Sequence, residues 1–284
     1  MDAQAGRPQC IDAHHHLWQY NAPGEPWMTE AMSGLRRDFL ARNLEAVASA
    51  SGVSGTVVIE VTRSAAETLW LTSIAEKHEL IRGVVGWTDL TDASIESTLE
   101  TIASLPKLKG IRHPIHDEPD DDYVARADFN RGIAALQDFG LAYDLLIFEK
   151  HLPQTAALVD RHPDQIFILD HVAKPRITDG ALSPWRENVI ELARRPNVCC
   201  KISGMVTEAS WSNWTPQEIA PYIDVVLEAF GPRRLMFGSD WPLVTLASTY
   251  GRWLETVREA VSHLSDSEQD WILWRTATES YRLG

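Results

Sequence analysis

The chain of 284 residues is poor in cysteine and in positive charge, and it has no long apolar run. Its three cysteines, two of them adjacent at Cys199 and Cys200, exclude a disulfide framework and have no spacing typical of a structural zinc site. With 40 acidic against 26 basic residues the net charge is −14, so we expect neither nucleic acid nor an anionic membrane as a partner. No window approaches the roughly 18 apolar residues of a membrane span, and the first residues show no signal-peptide pattern. The sequence therefore predicts a cytoplasmic protein.

Eight short apolar runs alternate with segments of helical spacing along the whole chain. Strands that alternate with helices indicate a parallel sheet, and eight such units predict a single (β/α)8 barrel domain over residues 1–284. An open doubly wound sheet is the structural alternative, but no GxGxxG motif follows the first run. The predicted strands are residues 10–16, 55–61, 81–87, 108–115, 141–148, 165–171, 197–204 and 234–240.

Histidine and aspartate interrupt the apolar runs near their carboxyl ends. The first run ends in "AHHH", and alternation along a strand places His14 and His16 on one side together with Asp12, and the middle histidine on the other. The sixth run ends at His171 and the eighth at Asp240. Barrel enzymes build their sites at the carboxyl ends of the strands, so we expect these side chains to converge at one mouth.

Three imidazoles and one carboxylate in such a place permit two kinds of chemistry. They can hold one divalent cation such as zinc, with open positions for water and a substrate carbonyl. Without a metal, the imidazoles can donate hydrogen bonds to a carbonyl oxygen while the carboxylate deprotonates water. The residues by themselves leave metal-dependent and metal-independent catalysis equally open.

Several motifs in sequence order resemble the amidohydrolase superfamily, and within it the group of lactonases that act on sugar lactones and on pyrone dicarboxylates. They include "DAHHHLW", "GIRHPIHDEPDDDYV", "ILDHVAKP", "CKISG" and "FGPRRLMFGSDWPL", and the similarity extends from Ile11 to about Tyr281. The resemblance implies a (β/α)8 TIM barrel of the distorted amidohydrolase type that hydrolyses a sugar-acid lactone, with L-fuconolactone and L-rhamnonolactone as leading candidates. The expected partner is a small-molecule lactone, and the oligomeric state stays open.

Carried over to this sequence, the resemblance implies that His14, His16 and His171 face the lactone carbonyl or a single metal ion, and that Asp240 is the general base. Asp240 would take a proton from water, the histidines would stabilise the oxyanion directly or through a cation, and the carboxyl would return its proton to the departing ring oxygen. A two-metal centre is not expected, because the fourth strand lacks the lysine that bridges two metals in other members of the superfamily.

Five further side chains near the strand ends are candidate substrate contacts. Glu60 interrupts the second strand and either binds a substrate hydroxyl or pairs with a buried base. Arg112 and His113 end the fourth strand, and alternation does not say which of the two faces the site. Lys174 and Trp241 follow two of the key strand ends and are expected at the rim of the site.

Other polar residues are expected to have structural roles. Lys201 is predicted to be a core lysine paired with a carboxylate such as Asp12, and His116 and His151 are predicted to be solvated. Two loops rich in tryptophan, residues 18–34 and 205–218, either pack on the barrel rim or form a lid over a site.

Two other functions compete with lactone hydrolysis. The first is a metal-dependent decarboxylase of an unsaturated or aromatic acid, built on the same fold with the same histidines and Asp240. The second is a sugar-binding barrel without catalysis, against which the intact set of strand-end residues argues. Among lactones a neutral polyol is favoured over a dicarboxylate, because Arg112 is the only clear arginine at the strand ends.

Overall fold

Eight parallel strands pair in chain order in the computed structural model, which describes residues 9–21 and 27–284. The predicted (β/α)8 barrel is confirmed, and each observed strand lies within its predicted range. The strands are β1 (Ile11–His15), β2 (Gly55–Ile59), β3 (Ile81–Gly86), β4 (Leu108–Pro114), β5 (Ala142–Leu146), β6 (Phe167–Leu169), β7 (Val198–Ile202) and β8 (Leu235–Phe237).

Helices connect successive strands, and the chain continues beyond the eighth into a further helical segment. The eighth helix begins after Thr249, whose side chain accepts a hydrogen bond from the backbone N of Arg252 at 3.2 Å. None of the helices in the described residues is long and apolar enough to cross a membrane. The helices are α1 (Ala41–Ser51), α2 (Ala65–Ala75), α3 (Ile95–Ile102), α4 (Ala127–Asp138), α5 (Leu152–Arg161), α6 (Trp185–Ala193), α7 (Pro216–Phe230), α8 (Tyr250–Ala260), α9 (Asp266–Asp270) and α10 (Thr276–Ser280), the last two joined by a π-helical turn, Trp271–Arg275.

The core has two apolar layers. The larger one lies between the strands and the helices. The smaller one draws residues from six different strands, including Ile11, Ala13 and Val57, and so it fills the inside of the barrel. Tyr281 and Leu283, which follow α10, close this inner layer at the amino ends of the strands. Chemistry can therefore be built only at the other end, where polar side chains replace the apolar filling.

Strand β1 changes its pairing register between Asp12 and His15. Ile11 and Ala13 belong to the inner layer, whereas Asp12 accepts a hydrogen bond from the hydroxyl of Tyr250 on α8, at 2.9 Å. Asp12 thus faces the helices. The expectation that Asp12 shares a side with the catalytic histidines is wrong, because the register shift reverses the alternation partway along the strand.

The barrel closes between β8 and β1 through a single isolated bridge, from His15 to Trp241. Two backbone hydrogen bonds join the strands here, from Asp240 N to His14 O at 2.8 Å and from His16 N to Trp241 O at 2.6 Å. At Gly238 an added Cβ would lie 2.7 Å from the Cβ of His14, so a glycine is needed for this close approach. The closure brings the end of β8 directly against the end of β1.

Candidate active site

His14, His16 and Asp240 meet at the mouth of the barrel. The Nε2 atoms of the two histidines are 3.2 Å apart. Asp240 Oδ1 lies 3.8 Å from His14 Nε2 and 3.4 Å from His16 Nε2. All three side chains are buried. His171 completes the set, with its ring centroid 4.4 Å from that of His14. The structure thus brings together the four residues predicted to be catalytic.

His171 begins a run of four residues with left-handed backbone. From His171 to Lys174, φ lies between 48° and 64°, a conformation that costs about 1 to 2 kcal/mol for each non-glycine residue. Trp185 Nε1 donates to the carbonyl of Val172 at 2.7 Å, and Ser203 Oγ lies 2.9 Å from His171 Nδ1. The contacts hold a tight turn that presents both its first and its last side chain to the same cavity.

Lys201 lies below His14 between two buried aspartates. Its Nζ is 2.5 Å from Asp144 Oδ2, 2.9 Å from Asp170 Oδ1 and 3.2 Å from His14 Nδ1. Lys201 is therefore a core lysine, as expected. Its predicted pairing with Asp12 is wrong, because that carboxylate is turned towards α8.

Arg112 also belongs to this buried network. Its Nε donates to Glu60 Oε1 at 2.8 Å, its Nη2 to the backbone O of Glu60 at 2.5 Å, and its Nη1 to Asp170 Oδ2 at 3.2 Å. Of the two roles considered for Glu60, the structure shows the pairing with a buried base. Arg112 keeps one side towards the cavity, of which it is a wall.

Two of the candidate substrate contacts, His113 and Trp241, lie outside the cavity lining, whereas Lys174 belongs to it. The ring of His113 stacks on Tyr123 with centroids 5.0 Å apart, and its Nε2 is 2.8 Å from Glu118 Oε1. Trp241 is buried and packs edge to face against Phe39, with ring centroids 5.3 Å apart. Of the two residues that end β4, it is therefore Arg112 that faces the site.

The cavity above these groups has a volume of about 200 Å³. One part of its wall is apolar, and the rest carries His16, His171 and Asp240 with several ionisable or polar groups, whereas His14 is fully buried and does not line the cavity. Its lining consists of His16, Trp27, Val61, Arg112, Pro114, His116, Asp117, Leu146, His171, Lys174, Asp240 and Leu243.

Sequence reasoning missed several of these lining residues. His116 was expected to be solvated, yet it is only partly exposed and lines the cavity, with Nε2 3.2 Å from Asp117 Oδ1. His151, also expected to be solvated, is buried. Trp27 extends from the first tryptophan-rich loop and packs edge to face on Trp18, with centroids 6.1 Å apart. Residues 22–26 of that loop lie outside the described residues. These side chains follow turns after the strands, where no periodicity marks an inward direction.

Burial determines the charge of the histidines. It lowers the pKa of His14 well below the ordinary value of 6.5 and that of His171 to about 4. Burial acts to raise the pKa of Asp240, but the adjacent imidazoles of His171 and His16 outweigh it, and this pKa is lowered. At pH 7 His14 and His171 are therefore neutral and Asp240 is ionised.

One set of ligand atoms fits a divalent cation. The side chains of His14, His16 and Asp240 each offer one atom within 4.8 Å of the others. His16 Nδ1 donates to the carbonyl of Ile59 at 2.9 Å, which leaves a lone pair on Nε2. Asp240 Oδ1 is buried and has no hydrogen-bond partner among the described residues. The lone pair on His16 Nε2 and the unpartnered Asp240 Oδ1 therefore lie side by side as two suitable ligand atoms for a cation.

A second set of ligand atoms, from His14, Asp170 and His171, is equally compact. Here the ammonium of Lys201 already lies 2.9 Å from Asp170 Oδ1 and 3.2 Å from His14 Nδ1. A second positive charge in this place would be repelled at short range in a buried environment. The donor chemistry therefore favours the set at the mouth over the one below it.

Comparisons with known proteins agree with this geometry. The family model described as amidohydrolase matches residues 11–283. An L-fucono-1,5-lactonase of Burkholderia multivorans is 38% identical over 96% of each chain, and an L-fucono-1,5-lactonase of Burkholderia ambifaria is 36% identical over 86% of this chain and 85% of its own. A crystal structure of an amidohydrolase from Burkholderia multivorans with bound zinc superposes with a TM-score of 0.94 at 37% identity, covering 97% of this chain and all of that one.

Proposed function

The chain belongs to the amidohydrolase family, and we propose that it is a lactonase that opens the cyclic ester of a neutral aldonolactone such as L-fuconolactone or L-rhamnonolactone. The observation that supports this most is the group of His14, His16 and Asp240, whose facing atoms lie 3.2 to 3.8 Å apart at a cavity of sugar-ring size. The identity of 36 to 38% to two lactonases supports the same reaction.

The charges around the cavity favour an uncharged substrate. Arg112 is neutralised by Glu60 and Asp170, and Lys174 Nζ lies 2.6 Å from Glu208 Oε1. Burial lowers the pKa of His116 to about 4, so this imidazole is neutral at pH 7. Among the described lining residues no cation is left without an acidic partner. The second carboxylate of a dicarboxylate lactone would need one.

The cavity walls also suit a sugar ring. Val61, Leu146 and Leu243 form an aliphatic side that can receive the C–H face or a methyl group of a deoxy sugar. Asp117 and His116 provide hydrogen-bonding groups for ring hydroxyls on the same cavity. Substrate orientation then follows from matching the apolar and polar faces of the lactone to the two kinds of wall.

In the mechanism Asp240, ionised at pH 7, takes a proton from a water molecule as the water oxygen attacks the lactone carbonyl carbon. Ser203 can donate to His171 Nδ1, which places the proton of that imidazole on Nε2, where it can hydrogen-bond the oxyanion. As the bond from carbonyl carbon to ring oxygen breaks, Asp240 returns its proton to that oxygen. The product is an open-chain hydroxy acid.

A divalent cation such as zinc would be held by His14, His16 and Asp240, and when bound it would polarise the carbonyl as a Lewis acid. The hydrogen bonding of His16 favours a bound cation over direct donation to the oxyanion. Its Nδ1–H donates to Ile59 O, so its Nε2 can only accept. The rest of the protein's contribution is unchanged: a shaped cavity and a positioned carboxylate.

The experiment is acid release from a panel of five- and six-membered aldonolactones, followed with a pH indicator, with Asp240→Asn as the blank because lactones also open spontaneously. We expect the wild type to exceed the blank on one stereochemical subset, and activity to fall on chelation and return with zinc. Equal rates for both proteins on every lactone would refute the proposal. Release of carbon dioxide from unsaturated or aromatic acids would support the decarboxylase instead.

A further inference from the structure

The junction of β8 with β1 carries the proposed catalytic groups but has little regular pairing. Each of the seven other strand pairs has three to five paired positions, whereas this junction has one bridge. The positions of His14 and His16 on one side and of Asp240 on the other therefore depend on something other than a ladder of backbone hydrogen bonds.

Asp12 lies behind this junction, on the side of the helices. Its side chain is fully buried, and both of its oxygens are used. Oδ1 accepts from the backbone N of Ser239 at 2.7 Å and from that of His14 at 3.1 Å. Oδ2 accepts from Ser239 Oγ at 2.6 Å and from the hydroxyl of Tyr250 at 2.9 Å. One carboxylate thus joins β1, the end of β8 and α8.

Asp240 needs such support because its own backbone is strained. Its φ of 57° lies in the left-handed region, which a non-glycine residue occupies only when its surroundings enforce it. Ser239 holds the backbone on both sides of Asp240. Its Oγ donates to Asp12 Oδ2 and also accepts from the backbone N of Trp241 at 3.0 Å. The residues before and after Asp240 are therefore fixed by the same hydroxyl.

We infer that Asp12, Ser239 and Tyr250 form a positioning unit, the seam clamp, that sets the distance of Asp240 from His14 and His16. None of the three touches the cavity, so they act through the groups they hold. The expected effect on kcat rests on the proposed function, whereas the expected effect on the distance of Asp240 from His14 and His16 does not.

The test begins with Tyr250→Phe, which removes one hydrogen bond to a buried carboxylate and changes the volume little. We expect the 3.4 Å separation of Asp240 Oδ1 from His16 Nε2 to increase measurably in crystals of the variant. We expect kcat to fall about tenfold while KM stays within about twofold, because the cavity walls are untouched. Zinc affinity, measured by equilibrium dialysis, should fall about tenfold with it, since the ligands come from both sides of the junction.

Tyr143→Phe is the matched control. This tyrosine is also fully buried, and its hydroxyl donates at 3.4 Å to the carbonyl of His113, on β4 and away from the seam clamp. It should lose stability without a change in kcat, in zinc affinity or in the separation of Asp240 from His16. Ser239→Ala is the second variant of the clamp, and it should repeat and exceed the effects of Tyr250→Phe.

The inference is overturned if both clamp variants keep the wild-type separation and zinc affinity, or if Tyr143→Phe changes them equally. If the wild type opens no lactone, the proposed function fails. In that case the separation in crystals still decides whether the clamp positions Asp240.

Discussion

The two ends of the barrel are built in different ways. At the carboxyl end the described structure buries carboxylates, imidazoles, an arginine and a lysine around one cavity, and five non-glycine residues there have left-handed backbone. At the amino end the filling is apolar, closed by Tyr281 and Leu283, and Arg282 is the one described non-glycine residue with positive φ. Strain and buried charge are therefore concentrated where we propose the chemistry to occur.

This difference has a consequence for mutations. Groups at the carboxyl end are held in costly conformations and environments by their neighbours, so their replacement should change activity more than stability. Groups at the amino end serve packing and hydrogen bonding alone, so their replacement should change stability and leave activity intact. The following substitutions test the contrast, from the largest expected effect to the smallest.

Asp240→Asn should lower kcat/KM by about 10⁴-fold, the upper end of the range for a general base. Its stability should fall only slightly, because the lowered pKa of Asp240 shows that the folded protein favours the carboxylate over a neutral group there. Kinetics on the preferred lactone and urea unfolding measure the two effects. A variant that keeps a tenth of the activity would show that Asp240 is not the base.

Lys201→Met should destabilise the fold by about 3 to 5 kcal/mol, because it leaves Asp144 and Asp170 as buried carboxylates without their shared cation. Unlike Asp240, Lys201 lies at a place near the mouth where stability should fall steeply. The double variant Lys201→Met with Asp144→Asn should be less destabilised than the sum of the two single variants. Additive losses in urea unfolding would contradict the coupling.

The sequence was sufficient for much of this arrangement. The eight strands were predictable because apolar runs and helical spacing are local signals, and His14, His16, His171 and Asp240 were predictable because they end such runs. That they meet at one mouth follows from the parallel order of the strands. The predictable part of the candidate site thus depends on the regular elements.

What could not be predicted depends on contacts between distant segments. Asp12 was assigned to the wrong face because the register shift in β1 arises from its pairing with β2. The left-handed run that begins at His171 contains no glycine, so the sequence has no signal for this conformation. His116 and Trp27 enter the cavity from loops, whose directions are set by packing on residues remote in sequence. Alternation and composition carry no information about such directions.

Gly204→Ala tests the role of His171, with Gly180→Ala as its matched control. Gly204 has φ of 61°, and an added Cβ would lie within 3.0 Å of the His171 ring, at Nδ1 and Cγ. Gly180 has φ of 64° with nothing within 4 Å of an added Cβ. Both alanine variants should lose about 1 kcal/mol from the backbone conformation, but only Gly204→Ala should also lose about 10²-fold in kcat, by displacing the imidazole. Equal activities would mean that His171 tolerates displacement and is not an oxyanion donor.

Lys107→Met tests the amino end. Lys107 Nζ donates to the carbonyls of Ala75 and Ile81, each at 2.6 Å, and so it joins the end of α2 to the start of β3. Its loss should cost about 1 to 2 kcal/mol of stability, because two carbonyls lose a charged donor while water can partly replace it. Lys109→Met, two residues further along the chain and within β4, is the control, since its ammonium makes no described hydrogen bond. We expect kcat and KM of both variants to equal those of the wild type, because neither lysine communicates with the mouth except through the rigid strands. A change in kcat for Lys107→Met without one for Lys109→Met would show that the two ends of the barrel are coupled.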